Sequence, residues 1–131
     1  MSDDLNFLTI LGPASERDVV TLEAGAVLFA KGDPATAMYV VKSGKIEISN
    51  EGRIFEVVSA GGILGEMALA LEMRRSATAR AVVRSEVIPI DEDQFLKLVQ
   101  TNPFFAIWMI RVISRRLDAR TRSPRPGEAR D

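Results

Sequence analysis

The sequence predicts a mainly β domain with helices gathered at its C-terminal end. Three observations carry that reading: short runs of β-branched and aromatic residues, turn residues between them at intervals of roughly 8–12 residues, and a change of hydrophobic period near Asp91. Strands this short and closely spaced suit a sandwich or small barrel better than βαβ units. At 131 residues the chain can bury roughly two thirds of its unfolded surface in one domain.

Near the start, LNFLTI predicts one apolar turn docked on the body. From Val19 the β pattern begins. VVTLE (19–23) is the first run, and Ala24-Gly25 leads into AVLFA (26–30). KGDP (31–34) is a turn, because glycine tolerates positive φ and proline fixes the next corner. MYVVK (38–42) and KIEIS (45–49) flank Ser43-Gly44, a hairpin pattern, and KIEIS alternates cleanly. After Asn50-Glu51-Gly52 comes RIFEVV (53–58), and residues 79–90 give a last β run with a break near Arg84-Ser85. Asp91 or Asp93 then caps a helix carrying Phe95, Leu96, Leu98 and Val99. Asn102-Pro103 starts a second helix of about four turns, with Asn as N-cap and Pro in the first helical position. Its first half, Phe104 to Ile110, is apolar on every side, so it is either sandwiched or shared with a partner. TRSPRPGEARD has one alanine as its only apolar residue and reads as a disordered tail.

The organisation expected is a short N-terminal segment (1–18), one domain (19–118) and the tail (119–131). Net charge is −1, so no global basic field recruits nucleic acid. No apolar run approaches the roughly 20 residues that span a bilayer. The acidic start MSDDLNFLTI lacks the basic region of a secretory signal, and the chain reads as cytoplasmic. There is no cysteine and no histidine. Thiol and imidazole catalysis are therefore excluded, and with them nearly every zinc, copper or iron site. No catalytic residue and no metal site is expected.

The remaining chemistry lies in GEMALALEMRRSAT (65–78). Gly65 lets the backbone approach a neighbour closely. Glu66 to Leu71 are helix formers with room for one or two turns, whose N-terminal amides suit an anion. Arg75 returns on the following loop, where a guanidinium can bind two oxygens of one phosphate. Ser76 adds a hydroxyl. Glu66 suits a sugar hydroxyl rather than a phosphate. Spacing alone serves equally well for a Glu–Arg pair that closes a loop, with Arg74 a solvated charge.

The residues carry more than spacing. GEMALALEMRRSATARA resembles the phosphate-binding cassette of cyclic nucleotide-binding domains, the family of catabolite activator protein, protein kinase A regulatory subunits and cyclic-nucleotide-gated channels. AGAVLFAKGDPATAMYVVKSGKIEI resembles the family's glycine, Gly-Asp turn and Ser-Gly hairpin, and DEDQFLKLVQTNPFFAIWMIRVISRRL its two terminal helices. The resemblance covers roughly residues 19–118. It implies an α+β, mainly β fold: an eight-stranded jelly-roll-like β-barrel (double-stranded β-helix) with a short cassette helix and two C-terminal helices.

The resemblance also implies a ligand, cAMP or cGMP, and no other cofactor. Leu64, Gly65, Glu66, Met67, Ala68, Arg75, Ser76 and Ala77 would form its site. The amides from Gly65 to Ala68 and Arg75 would hold the cyclic phosphate, Glu66 would accept the ribose 2′-hydroxyl, and Ser76 would lie against phosphate or base. Serine after the arginine suits either nucleotide, and cAMP is favoured. Arg115 and Arg116, with Met109 and Val112, are candidate lid contacts. Two positions depart from the family pattern: Leu64 stands where an aromatic is common, and Gly61-Gly62 where an acid is.

The expected function is a sensor module, stand-alone or a piece of something longer, that signals to an unidentified protein partner by moving its C-terminal helix. The helix face Phe104–Ile110 would act as lid, as homodimer contact, or both. The tail is too short to build a recognition helix, so no specific DNA binding is expected. The alternative is a degenerate scaffold that keeps the fold and binds proteins or dimerises without nucleotide.

Overall fold

The computed structural model describes residues 6–12, 18–66 and 74–121, with side chains as far as 116. The expected cassette helix and residues 122–131 of the expected tail lie outside the described residues. Eight strands are described: β1 (Val20–Leu22), β2 (Val27–Phe29), β3 (Ala37–Ser43), β4 (Lys45–Asn50), β5 (Arg53–Ser59), β6 (Ile63–Leu64), β7 (Thr78–Ala81) and β8 (Ser85–Asp91). Helix α1 (Phe7–Leu11) precedes them, and α2 (Glu92–Thr101) and α3 (Phe104–Thr121) follow. The sequence reading found every strand except β6, whose two residues are too few to show a period.

The strands pair antiparallel in a nested order: β1 with β8, β2 with β7, β3 with β6, β4 with β5. This is a β ribbon rolled back on itself, the jelly-roll arrangement. It forms two four-stranded sheets, β1-β8-β3-β6 and β2-β7-β4-β5. No ladder joins the two sheets among the described strands, so the jelly roll is a sandwich and not a closed barrel. The reason lies at the edges: β1, β2 and β6 are two or three residues long, too short to bridge to the opposite sheet.

Hydrophobic patterning explains which sheet is covered. Leu22, Phe29, Val41, Ile46, Val58, Leu64, Ala79, Ala81 and Val87 come from all eight strands and meet between the sheets. β3 and β8 are buried on both faces, which is why MYVV and VIPI read as near-continuous apolar runs. Their second faces, with Met38, Val40, Ile88 and Ile90, pack against Phe7 and Leu11 of α1 and Phe105 and Met109 of α3. Phe105 is fully buried, and the rings of Phe7 and Phe95 meet it edge-on at 5.7 and 5.4 Å. The helices therefore cover one sheet only.

Local signals set the ends of these elements. Asp91 caps α2 through a reciprocal box: its carboxylate accepts from the Gln94 amide at 2.8 Å, and the Gln94 side chain accepts from the Asp91 amide at 2.9 Å. The Asn102 side chain accepts from the Phe104 amide at 3.2 Å where α3 begins. Helix α3 runs to Thr121, so residues 119–121 are helical rather than part of a tail. An unbroken helical ladder explains this, since no proline interrupts it before Pro124.

The Gly61-Gly62 departure also has a structural cause. Gly61 has φ +90, and a Cβ there would lie 2.8 Å from the Asn6 side chain. Its carbonyl accepts from the Phe7 amide at 2.8 Å. The turn between β5 and β6 is thus the seat of α1, where a larger residue would not fit.

Candidate functional site

The site grows from the end of β6 and the return of the chain at Arg74. Gly65 follows β6 with φ +76, a left-handed conformation that favours glycine. A Cβ on Gly65 would lie 2.7 Å from Nη1 of Arg75, so the missing side chain is the space that Arg75 fills.

Arg75 is 7% exposed. Its Nη2 donates to the Ala37 carbonyl at 2.6 Å and its Nη1 to the Gly65 carbonyl at 3.4 Å. The guanidinium lies 4.0 Å from the centre of the Phe29 ring and 5.8 Å from that of Tyr39, so aromatic faces form its bed. Nε is buried without a hydrogen-bond partner. Among the described residues, no carboxylate forms an ion pair with this cation. Burial pushes its pKa below the ordinary guanidinium value, and Tyr39 and then Asp33 offset part of that effect. A buried cation with an unpartnered N–H is costly unless an anion completes it.

The KGDP turn holds Arg75 from behind. The Arg75 amide donates to the Asp33 carbonyl at 2.8 Å, and the Gly32 amide donates back to the Arg75 carbonyl at 2.8 Å. Asp33 braces that turn, its carboxylate accepting from the Ala30 amide at 3.0 Å. Arg74 is exposed and donates to the Gly32 carbonyl at 3.0 Å, closing the same junction.

Glu66 is 4% exposed and does not face Arg75. Its Oε1 accepts from Nη1 of Arg116 at 2.6 Å. Nη2 of Arg116 donates to the Ile63 carbonyl at 2.6 Å and to Glu56 at 3.1 Å. Burial lowers the Arg116 pKa, but Glu66 and then Glu56 outweigh it and hold the guanidinium above its ordinary range. The two charges of the segment therefore have separate partners, and the loop-closing Glu–Arg pair is absent.

The remaining expected residues divide. Ala77 is buried beside the cation and Ser76 is exposed. Leu64 is 1% exposed and belongs to the inter-sheet core, so its side chain serves packing. Met67 and Ala68 lie outside the described residues. Of the lid candidates, Arg116 reaches the site and Arg115 is exposed. Met109 and Val112 pack on the helix-facing core instead, because the sheet claims that stripe of α3. Phe29, Tyr39 and Glu56 were missed in the sequence. Glu56 had a signal: it is the lone acid of RIFEVV and pairs with inward-facing Ile48.

Fold and site together define a class: a jelly-roll sandwich with a caged guanidinium open to an anion and a terminal helix reaching a buried carboxylate beside it. The family described as "Cyclic nucleotide-binding domain" matches residues 19–102, and the chain belongs to that family. The cyclic AMP receptor protein of Thermus thermophilus is 32% identical over 98 residues, 71% of this chain and 45% of that protein. The solved structure of the Thermus thermophilus catabolite activator protein superposes with a TM-score of 0.72 at 29% identity, covering 79% of this chain and 51% of that one. A structure described under a cyclic-GMP-dependent signalling pathway in bacterial phytopathogenesis gives 0.73 at 28% identity, covering 86% and 92%. The chain spans less than half the length of the first curated relatives it matches. Among the described residues, no helix is long and apolar enough to cross a membrane, and no group of acidic residues could hold a metal ion.

Proposed function

We propose that this chain is a cytoplasmic regulatory module that binds cAMP and reports it through α3. The observation that carries the reading is Arg75: a 7%-exposed guanidinium on an aromatic bed, with Nε unpartnered and no carboxylate against it. A cyclic phosphate would supply the missing charge and acceptor. Glu66 stands on the other side of Gly65 for the ribose hydroxyl. The 32% identity to a cyclic AMP receptor protein supports adenine as the base. With no histidine or cysteine in the chain, its role is recognition rather than catalysis.

Helix α3 exposes Phe104 (68%), Ile107 and Ile110 (63%) in one row, which suits contact with a second copy. Thermal unfolding with cAMP, cGMP and 5′-AMP tests the nucleotide reading. A ligand at about 100 times its Kd stabilises by about 2.7 kcal/mol, and only the cyclic nucleotides should do so. A second reading, a scaffold without nucleotide, is favoured by one observation: Arg116 already satisfies Glu66. Equal curves with and without all three nucleotides would select it.

A further inference from the structure

Helix α3 touches the candidate sugar side of the site through one residue. Arg116 sits four turns into the helix, and its guanidinium meets three elements at once: Glu56 on β5, the Ile63 carbonyl on β6, and Glu66 beyond Gly65. We propose that Arg116 is a positioning residue for Glu66, making sugar recognition and the docking of α3 one coupled event. The inference rests on the nucleotide reading above and adds to it how the ligand is felt by the helix.

The geometry favours support over competition. The Glu66 side chain is 4% exposed and that of Arg116 18%, so neither charge can turn to water for compensation. Enclosed carboxylates are retained where a cation and further hydrogen bonds answer them. Arg116 donates to Oε1. A carboxylate offers about four acceptor positions over its two oxygens, so a sugar hydroxyl and the ion pair can share it. Arg116 is itself fixed by the Ile63 carbonyl at 2.6 Å and by Glu56, whose side chain is 43% exposed and forms the outer side of the clamp. Such a planar fork holds several acceptors at once, which an ammonium would not reproduce. Without Arg116, Glu66 would be an uncompensated buried charge free to turn away from the sugar. Coupling of this kind is reciprocal, so a ligand that engages Glu66 also holds α3 in place.

The test compares cAMP with 2′-deoxy-cAMP, which lacks the hydroxyl meant for Glu66. Affinities are measured for wild type, Arg116→Gln, Glu66→Gln and the double variant, with hydrogen exchange of α3 as a second readout. Arg116→Gln should weaken cAMP about tenfold, one missing hydrogen bond's worth, and change 2′-deoxy-cAMP by less than about twofold. The double variant should be no worse than Glu66→Gln, and cAMP should protect α3 in wild type only. Arg116→Lys should recover part of the discrimination, and Glu56→Gln, at a more exposed position, should lose part of it with the fold intact. Tighter cAMP binding by Arg116→Gln would make Arg116 a competing latch and overturn the proposal. An equal loss of both ligands would reduce it to a general structural role and overturn it too. Failure of wild type to bind either ligand would instead remove the nucleotide reading on which the proposal stands.

Discussion

Replacing Gly65 with alanine probes the site through the feature that most constrains it. Two effects follow from the coordinates. The backbone sits at φ +76, where an L side chain costs about 1–2 kcal/mol. The new methyl would also lie 2.7 Å from Nη1 of Arg75, well inside contact distance. The methyl cannot move, but the end of a long side chain can, so the guanidinium yields. Its 3.4 Å bond to the Gly65 carbonyl is lost, and its alignment toward the anion shifts. A charge-assisted hydrogen bond contributes about 1.5–3 kcal/mol. Gly65→Ala should therefore destabilise the fold by about 1–2 kcal/mol and weaken cAMP roughly 10- to 150-fold. Urea unfolding gives the first number and calorimetric titration the second. A variant as stable as wild type that binds cAMP equally well would refute the claim that Gly65 makes room for Arg75.

Two further predictions concern the helices. Phe105→Ala removes a fully buried ring that closes the α1–α3 layer on β3 and β8. It should cost about 3–5 kcal/mol and lower Tm by roughly 10 °C or more, and a shift of a degree or two would place Phe105 outside the core. Ile107→Lys with Ile110→Lys alters an exposed row and should change stability by less than about 1 kcal/mol. Sedimentation velocity across a concentration series should show a dimer for wild type and a monomer for the double variant; a wild-type monomer at every concentration would end the dimer reading.

Much of the fold was legible because its signals are local. Alternation in KIEIS, turn chemistry at KGDP and Ser43-Gly44, and the Asp91 and Asn102 caps each depend on neighbours within a few residues. The continuous apolar character of β3 and β8 showed burial, but not that α1 and α3 supply the second layer. The partition of α3 was legible only in part. An all-round apolar stretch implied two surfaces, and packing chose Phe105 and Met109 for the sheet, leaving Phe104 and Ile110 exposed.

The site was read half correctly for the same reason. Gly65, Glu66 and Arg75 are close in sequence and carry a recognisable pattern. The Phe29 and Tyr39 bed, the Ala37 carbonyl and Glu56 come from strands brought together only by the rolled topology. Leu64 illustrates the opposite error: adjacency in sequence placed it in the site, while strand alternation turns its side chain into the inter-sheet core. Arg116 was picked out as a lid contact, yet its partner is the buried carboxylate Glu66, a pairing across 50 residues that spacing alone could not assign.

The central claim is that the caged guanidinium of Arg75 is a phosphate receptor. Isothermal titration of wild type and Arg75→Ala with cAMP tests it most directly. The account predicts saturable binding by wild type and a loss of roughly 10- to 150-fold on removing the guanidinium. Undiminished affinity in Arg75→Ala, or no heat from wild type with cAMP or cGMP at millimolar concentration, would contradict it.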